Sequence, residues 1–332
     1  MSSSKAESRG LSLLSGGLDS QLAVKVLQSA GAEMEGVVFE TPFFSSAAAR
    51  KAADALGIRL HVVDFTDDII ALVENPPHGF GSAINPCIDC HSTMIRRAGE
   101  LMVRLGFDFV STGEVLGQRP MSQNRQALGV VEKASGMAGR LVRPLSAKLL
   151  DPTVPEIEGS LSREKLLDIS GRRRERQIAL AKSFGIEDYP SPAGGCKLTE
   201  AGFAKRLRDL MEHEGLRERR LVDLVTTARR FRLPGGASLM LGRDRFENEI
   251  LAKNAALGAL LEPVGVSGPT ALVPAPHSRE DIAAAAAIVV SYSKDGGGGE
   301  ARRVDVVESG GARETLFAEA MPREKSKEMQ VC

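Results

Sequence analysis

Six consecutive residues, Ser15-Gly16-Gly17-Leu18-Asp19-Ser20, constrain this chain more than any other stretch. They follow a short apolar run at 11–14 that reads as the end of a buried strand. They precede a helical pattern carried by Leu22, Ala23, Val26, Leu27 and Ala30. A glycine-rich turn between strand and helix aims several backbone N–H groups into one concavity, with the positive end of the helix dipole behind them. The glycines permit close approach of a phosphate, and Ser15 and Ser20 add hydroxyl donors. Asp19 is out of place in a pure anion hole. It fits where the anion arrives with Mg²⁺, which a carboxylate can hold against phosphate oxygens. The Lys-Ser/Thr ending of the usual phosphate loop is absent, so cleavage at a γ-phosphate has no support.

The segments that follow alternate between strand and helix patterns. Strands are expected at 36–40 and 59–65, and helices at 44–56 and 67–73. Nearly continuous apolar strands in such an alternation predict an α/β fold, a doubly wound parallel sheet covered on both faces. Ligands bind such sheets at the carboxyl ends of the strands. A fourth strand at 109–112 leads to Gly113-Glu114 and then to Gln118, Arg119, Ser122 and Gln123, a loop too polar to pack a core. The run 141–146 reads as a fifth strand, with Arg143 and Lys148 available for phosphate. The stretch 163–184 reads as a surface helix or helix pair.

The cysteines form a second constellation. Asn85-Pro86 opens a helix, which puts Cys87 and Cys90 in its first turn, where the dipole favours thiolate. Cys196 lies in a Pro- and Gly-rich loop at 189–196, a place for chemistry rather than packing. Cys332 is terminal and receives no role. The string Cys87-x-x-Cys90-His91 is formally a c-type haem pattern, but no export signal accompanies it. A structural zinc site with His91 as a fourth ligand, a redox dithiol and a three-cysteine iron–sulfur site with one open iron remain, beside inert buried thiols.

At 332 residues there is material for two domains, and 42% hydrophobic with 26% charged residues is a globular balance. No apolar run approaches membrane-spanning length, and a cytoplasmic protein is expected. Net charge is zero, yet 160–232 holds 17 Lys and Arg against 11 Asp and Glu. Within it, Arg172-Arg173-Arg174 with Arg176, and Arg229-Arg230 with Arg232, could track a phosphate backbone or form a solvated helix face. Two Tyr and no Trp leave little for base stacking. The texture changes after Arg229, and a small α+β domain is expected at 229–321, after helical segments at 199–214 and 221–228, with a charged tail at 322–332.

The Ser15–Ser20 loop resembles the SGGxDS signature of the PP-loop ATP pyrophosphatase superfamily, with the adenine-nucleotide alpha-hydrolase-like fold. Asn85-Pro86-Cys87 with Cys90 resembles the NPCxxC of tRNA thiolases of the MnmA group. Ser111-Thr112-Gly113-Glu114, Leu116-Gly117-Gln118, Ser122-Gln123 and Arg143-Pro144-Leu145 resemble stretches of the 4-thiouridine synthetases (ThiI). The resemblance covers about residues 10–200, implying an ATP-binding thiolase domain at 1–198 with a helical connection at 199–228. The THUMP domain and the rhodanese tail of ThiI have no counterpart. Leu241-Gly242-Arg243 and Glu247-Asn248 are instead similar to the NFACT-R RNA-binding module.

The resemblance implies ATP, Mg²⁺ and tRNA as ligands, with adenylation of a uridine carbonyl oxygen followed by sulfur transfer. Ser15, Gly16, Gly17, Leu18, Asp19, Ser20, Phe39, Gly113 and Lys148 would hold the nucleotide, Phe39 near adenine and Asp19 on Mg²⁺. Cys87, Cys90 and Cys196 would hold a [4Fe-4S] cluster or, through a persulfide on Cys196 resolved by Cys90 or Cys87, pass sulfur directly. Zn²⁺ or no metal are the alternatives. Sulfur would come from a cysteine desulfurase or free sulfide, and a homodimer is compatible with this organisation. Two rivals are a PP-loop ligase making an amide or nitrile on a small molecule, with structural zinc, and a non-catalytic RNA-binding protein.

Overall fold

The computed structural model describes residues 8–191, 195–294 and 300–332. Of the expected loops, 192–194 and 296–299 therefore lie outside the described residues. The chain divides into two compact units, Met1–Thr199 and Glu200–Cys332.

The first unit opens with β1 (Arg9–Leu13), α1 (Leu18–Ser29), β2 (Glu33–Glu40), α2 (Ala47–Leu56), β3 (Leu60–Asp64) and α3 (Thr66–Glu74). It continues through α4 (Cys87–Leu105), β4 (Phe109–Ser111), α5 (Arg125–Ser135), β5 (Leu141–Val142), the single turn α6 (Val154–Ile157) and α7 (Glu175–Ser183). The five strands form one parallel sheet in the order β3-β2-β1-β4-β5. This is the expected doubly wound α/β sheet. The chain runs outward through β2 and β3, then returns to the other side of β1. The carboxyl ends of β1 and β4 therefore flank the topological switch point, where such sheets bind ligands. Leu18, Leu22, Val26 and Leu27 of α1 are buried in the same core as Leu14, Met34, Val38 and Phe109.

Two expectations for this unit are corrected. The fifth strand is only Leu141–Val142, because Arg143 turns inward to pair with carboxylates. The stretch 163–184 is not a continuous helix or helix pair. After a short 3₁₀ turn (Arg163–Lys165), Ser170 makes a parallel bridge to Leu116 and Gly171 takes the left-handed conformation (φ 83°), so helix begins only at Glu175. The helix α5 escaped the sequence reading, although Asn124 caps it by accepting from the Ala127 N–H and Gly136 ends it.

The second unit comprises α8 (Ala201–His213), α9 (Arg219–Thr227), β6 (Arg229–Arg232), β7 (Ser238–Leu241), α10 (Arg245–Lys253), β8 (Gly258–Pro263), β9 (Ala271–Pro274), α11 (Arg279–Tyr292), β10 (Arg302–Val307), β11 (Arg313–Ala318) and α12 (Arg323–Met329). Its six strands form an antiparallel sheet in the order β11-β10-β8-β9-β7-β6. Phe231, Leu239, Val273, Ile282, Val289 and Val304 share its core. The helices at its start are part of the unit, because Arg230 and Arg232 of β6 pair with Asp209 of α8 and with Glu214. Arg230 is fully buried in this cluster, so it and Arg232 are structural cations rather than a phosphate-tracking strip. The charged C-terminal stretch is ordered too: it forms α12, and the Val331 N–H donates to the Arg230 carbonyl (2.9 Å). Among the described residues, no helix is long and apolar enough to cross a membrane.

Candidate nucleotide and thiol site

At the end of β1 the chain turns through Gly16, whose φ of 80° is a left-handed value. A side chain there would also strike the Ala48 backbone, since an added Cβ would lie 2.4 Å from its carbonyl carbon. Gly17 stands at the N-cap of α1, and no side chain caps that helix. Its first-turn N–H groups are thus left for an external acceptor. Ser20 Oγ donates to the Gly17 carbonyl (2.8 Å) and Ser15 Oγ to Ser20 Oγ (3.2 Å), which fixes the loop from within. Gln21 Nε2 donates to the carbonyls of Gly16 (2.9 Å) and Asp188 (3.0 Å), which fixes it from below. Gly113, at the end of β4, backs directly onto the loop. A Cβ there would lie 2.5 Å from the Asp19 carbonyl carbon and 2.6 Å from the Ser20 nitrogen. Its role is to let the two strand ends approach.

Asp19 is the polar centre of the loop. Gln118 Nε2 donates to Asp19 Oδ2 (2.7 Å), Gln177 Nε2 donates to Gln118 Oε1 (3.1 Å), and the Arg174 guanidinium lies 3.8 Å from Oδ2. Asp19 Oδ1 is buried without a hydrogen-bond partner, as are Arg174 Nε and Gln177 Oε1. Such orphaned buried groups are uncommon unless a ligand completes them. A bare, buried carboxylate oxygen inside an anion-binding turn suits Mg²⁺, so the residues present fit that ion. Gln118 belongs to the loop judged too polar to pack. That loop instead closes one side of the site, and Gln177 and Arg174, from 163–184, close another.

The thiols gather at the start of α4. Cys87 Sγ accepts from Asn85 Nδ2 (3.1 Å). Cys90 behaves oppositely to the expectation for a first-turn thiol: burial pushes it up, and the nearby Cys196, Cys87 and Asp89 charges push it the same way. The helix dipole does not offset that desolvation. Cys196 lies near enough to Cys90 to act on it electrostatically. Two backbone bonds fix its segment, Ile84 N–H to the Leu198 carbonyl (3.2 Å) and Lys197 N–H to the Phe43 carbonyl (3.0 Å). Asp89 is buried and bonded to His78, its Oδ1 2.5 Å from Nδ1. All four cysteines are thiols. Three cysteines are a donor set that iron–sulfur clusters use, yet no group of three His, Cys, Asp or Glu among the described residues could hold a metal ion as placed.

One corner joins loop and thiols. Glu114, next to Gly113, lies with Oε1 3.5 Å from Nδ1 of His91, the neighbour of Cys90. Its Oε2 accepts from Arg143 Nε (3.0 Å) and Thr112 Oγ1 (3.1 Å). Burial alone would raise the Glu114 carboxyl, but His91 and Arg143 outweigh it and hold it at about 2. Arg143 also donates to Glu132 Oε2 (2.7 Å) and the Leu128 carbonyl (3.2 Å). It is 3% exposed and saturated, so it is not available for phosphate as the sequence suggested. Lys148 is exposed and donates to the Glu164 carbonyl (2.8 Å). Phe39 is buried edge-on against Phe65 with ring centroids 5.3 Å apart, which makes it a core residue rather than an open adenine platform. Gln177 was missed as a site residue, and His91, Glu114 and Arg174 were named only as a candidate zinc ligand, a motif position and part of a basic cluster, because their contacts here are ones that no local pattern encodes.

A carboxylate seated inside the anion-binding turn, with no phosphate-loop lysine further along, makes the first unit similar to PP-loop domains. Known proteins agree. Residues 5–148 match the family model described as thiamine biosynthesis protein (ThiI), and residues 228–329 match that of the NFACT protein RNA binding domain. The tRNA-specific 2-thiouridylase MnmA of Sulfurimonas denitrificans is 35% identical over 115 residues, 31% of this chain and 33% of the relative. That of Marinobacter nauticus is 26% identical over 231 residues, 63% of this chain and 55% of the relative. A probable tRNA sulfurtransferase of Thermoanaerobacter sp. (strain X514) is 33% identical over 142 residues, covering 40% and 35%. A solved 4-thiouridine synthetase–RNA complex with bound ATP aligns over 54% of this chain and 52% of its own, with 22% identity and a TM-score of 0.35. The first unit is therefore similar to the ThiI family model and to the matching stretches of the tRNA thiouridylases and sulfurtransferases. The chain spans between a third and about half of the length of these curated relatives.

Proposed function

We propose that the protein is an ATP-dependent tRNA sulfurtransferase that replaces a uridine carbonyl oxygen with sulfur. The observation that carries this reading is the Gly113-Glu114 corner, which backs one residue onto the nucleotide loop and sets the next beside His91, the residue after Cys90 in α4. A nucleotide turn alone would suit many ligases; a turn that shares a corner with three gathered cysteines suits activation followed by sulfur delivery.

In this mechanism the α1 N-terminus receives the polyphosphate of ATP, and Asp19 Oδ1 would hold Mg²⁺, which when bound would neutralise phosphate charge. The uridine oxygen attacks the α-phosphorus, the bond to pyrophosphate breaks, and the N–H donors offset charge on the leaving group. Cys196 then presents a persulfide, loaded by a cysteine desulfurase or from sulfide with an oxidant. Its terminal sulfur attacks the activated ring carbon and AMP departs. Cys87, half-buried and hydrogen-bonded by Asn85, attacks Cys196 Sγ. The sulfur–sulfur bond breaks, sulfur stays on the base, and a Cys87–Cys196 disulfide forms that an external dithiol reduces. Cys90, with its raised thiol, is the poorer nucleophile of the C-x-x-C. The second unit, matching an RNA-binding model, is assigned the tRNA. The protein acts in the cytoplasm.

The test is pyrophosphate release with Mg²⁺, ATP and unmodified tRNA, alongside anaerobic iron and sulfide analysis. Release should require tRNA and fall about a hundredfold or more in Asp19→Asn. Equal release without RNA contradicts the reading and points to a small-molecule substrate. Iron and sulfide in like amounts, lost in Cys196→Ala, would move sulfur transfer from the persulfide to a cluster on all three cysteines.

A further inference from the structure

The arginine triplet 172–174 is split by the fold. Arg172 and Arg173 are exposed, while Arg174 turns inward, its side chain 19% exposed, beside the nucleotide loop. The bridge between Leu116 and Ser170 and the left-handed turn at Gly171 aim it there, just before α7 starts. Once inside, it is poorly satisfied. Its contact with Asp19 Oδ2 is 3.8 Å, longer than a hydrogen bond, and its Nε is buried with no partner. Asp19 Oδ2 is already bonded to Gln118 at 2.7 Å. A guanidinium in a half-closed pocket, with donors unspent and an anion-binding turn alongside, has the fork geometry and charge for phosphate oxygens.

We infer that Arg174 is a catalytic residue of the nucleotide site: it binds the pyrophosphate portion of ATP from outside the loop and carries part of the charge of that leaving group. This rests on the nucleotide reading above and adds the residue which discriminates a triphosphate from a monophosphate. Without nucleotide, Arg174 lies against Asp19. With Asp19 holding Mg²⁺, the guanidinium would be left for the phosphate oxygens. Gln177, whose Oε1 is also buried without a partner, holds Gln118 on Asp19 through this exchange and is a positioning residue.

Calorimetric titration of the full-length protein with ATP, pyrophosphate and AMP, each with Mg²⁺, tests this. Arg174→Gln should weaken ATP and pyrophosphate about tenfold to a hundredfold, the range of a charge-assisted bond, and leave AMP unchanged. Arg174→Lys should fall between variant and wild type, and the melting temperatures of both variants should show that they fold. If Arg174→Gln binds all three ligands like the wild type, or loses AMP as much as pyrophosphate, the inference is wrong while the nucleotide reading stands. Wild-type protein that binds none of the three would overturn both.

Discussion

Two arginines of the first unit, Arg143 and Arg174, sit on either side of the same corner and are used in opposite ways. Arg143 is buried, and its donors meet Glu114, Glu132 and the Leu128 carbonyl at 2.7 to 3.2 Å. Arg174 has a 3.8 Å approach to Asp19 and an Nε with no acceptor. Saturation marks a structural ion pair, whose cost of burial is offset within the fold. Deficiency marks a group whose partner comes from outside. The two acids differ more narrowly: each leaves one buried oxygen without a hydrogen bond, but Glu114 is held ionised by His91 and Arg143, whereas the Arg174 guanidinium stays 3.8 Å from Asp19.

The sharpest way to break the contrast is to remove each cation and measure stability by urea denaturation. Arg143→Ala leaves Glu114 as an uncompensated buried charge and should destabilise the first unit by about 3–5 kcal/mol. Arg174→Ala should cost about 1 kcal/mol or less, because a long, partly exposed pair contributes little. Equal losses would mean that Arg174 is structural. A smaller effect comes from acid. The Glu114 carboxyl is lowered from 4.5 to about 2, so its contribution is complete above the unfolded value and is lost as pH falls through the folded one. The shift corresponds to about 3 kcal/mol. Between those limits wild-type stability should decline more steeply than that of Glu114→Gln; parallel acid limbs would remove Glu114 from the network.

The same contrast explains what the sequence could tell. The Ser15–Ser20 turn was legible because its chemistry is local: strand, glycines and helix start are contiguous, and the parallel sheet followed from the β-α alternation. Cys87, Cys90 and Cys196 were legible as a set from their helix-start and loop settings, and the resemblance added the chemistry they would share. Arg143 was misread as a phosphate ligand because nothing near it announces Glu114, 29 residues earlier, as its partner. The run 163–184 carries enough helix-forming residues to suggest one long helix, yet the bridge at Ser170 and the turn at Gly171 bend it inward. Arg174 and Gln177 reach the site through that bend, so a local pattern cannot show them. Phe39 was read by analogy, and its edge-on contact with Phe65 is a packing fact visible only in three dimensions.

The most direct measurement of the central claim is nucleoside analysis of unmodified tRNA after incubation with the protein, ATP, Mg²⁺ and a desulfurase-based sulfur source. The account predicts thiouridine that requires ATP and disappears in Asp19→Asn and in Cys196→Ala. tRNA that is adenylated but never thiolated, or thiouridine formed equally well by Cys196→Ala, would contradict it.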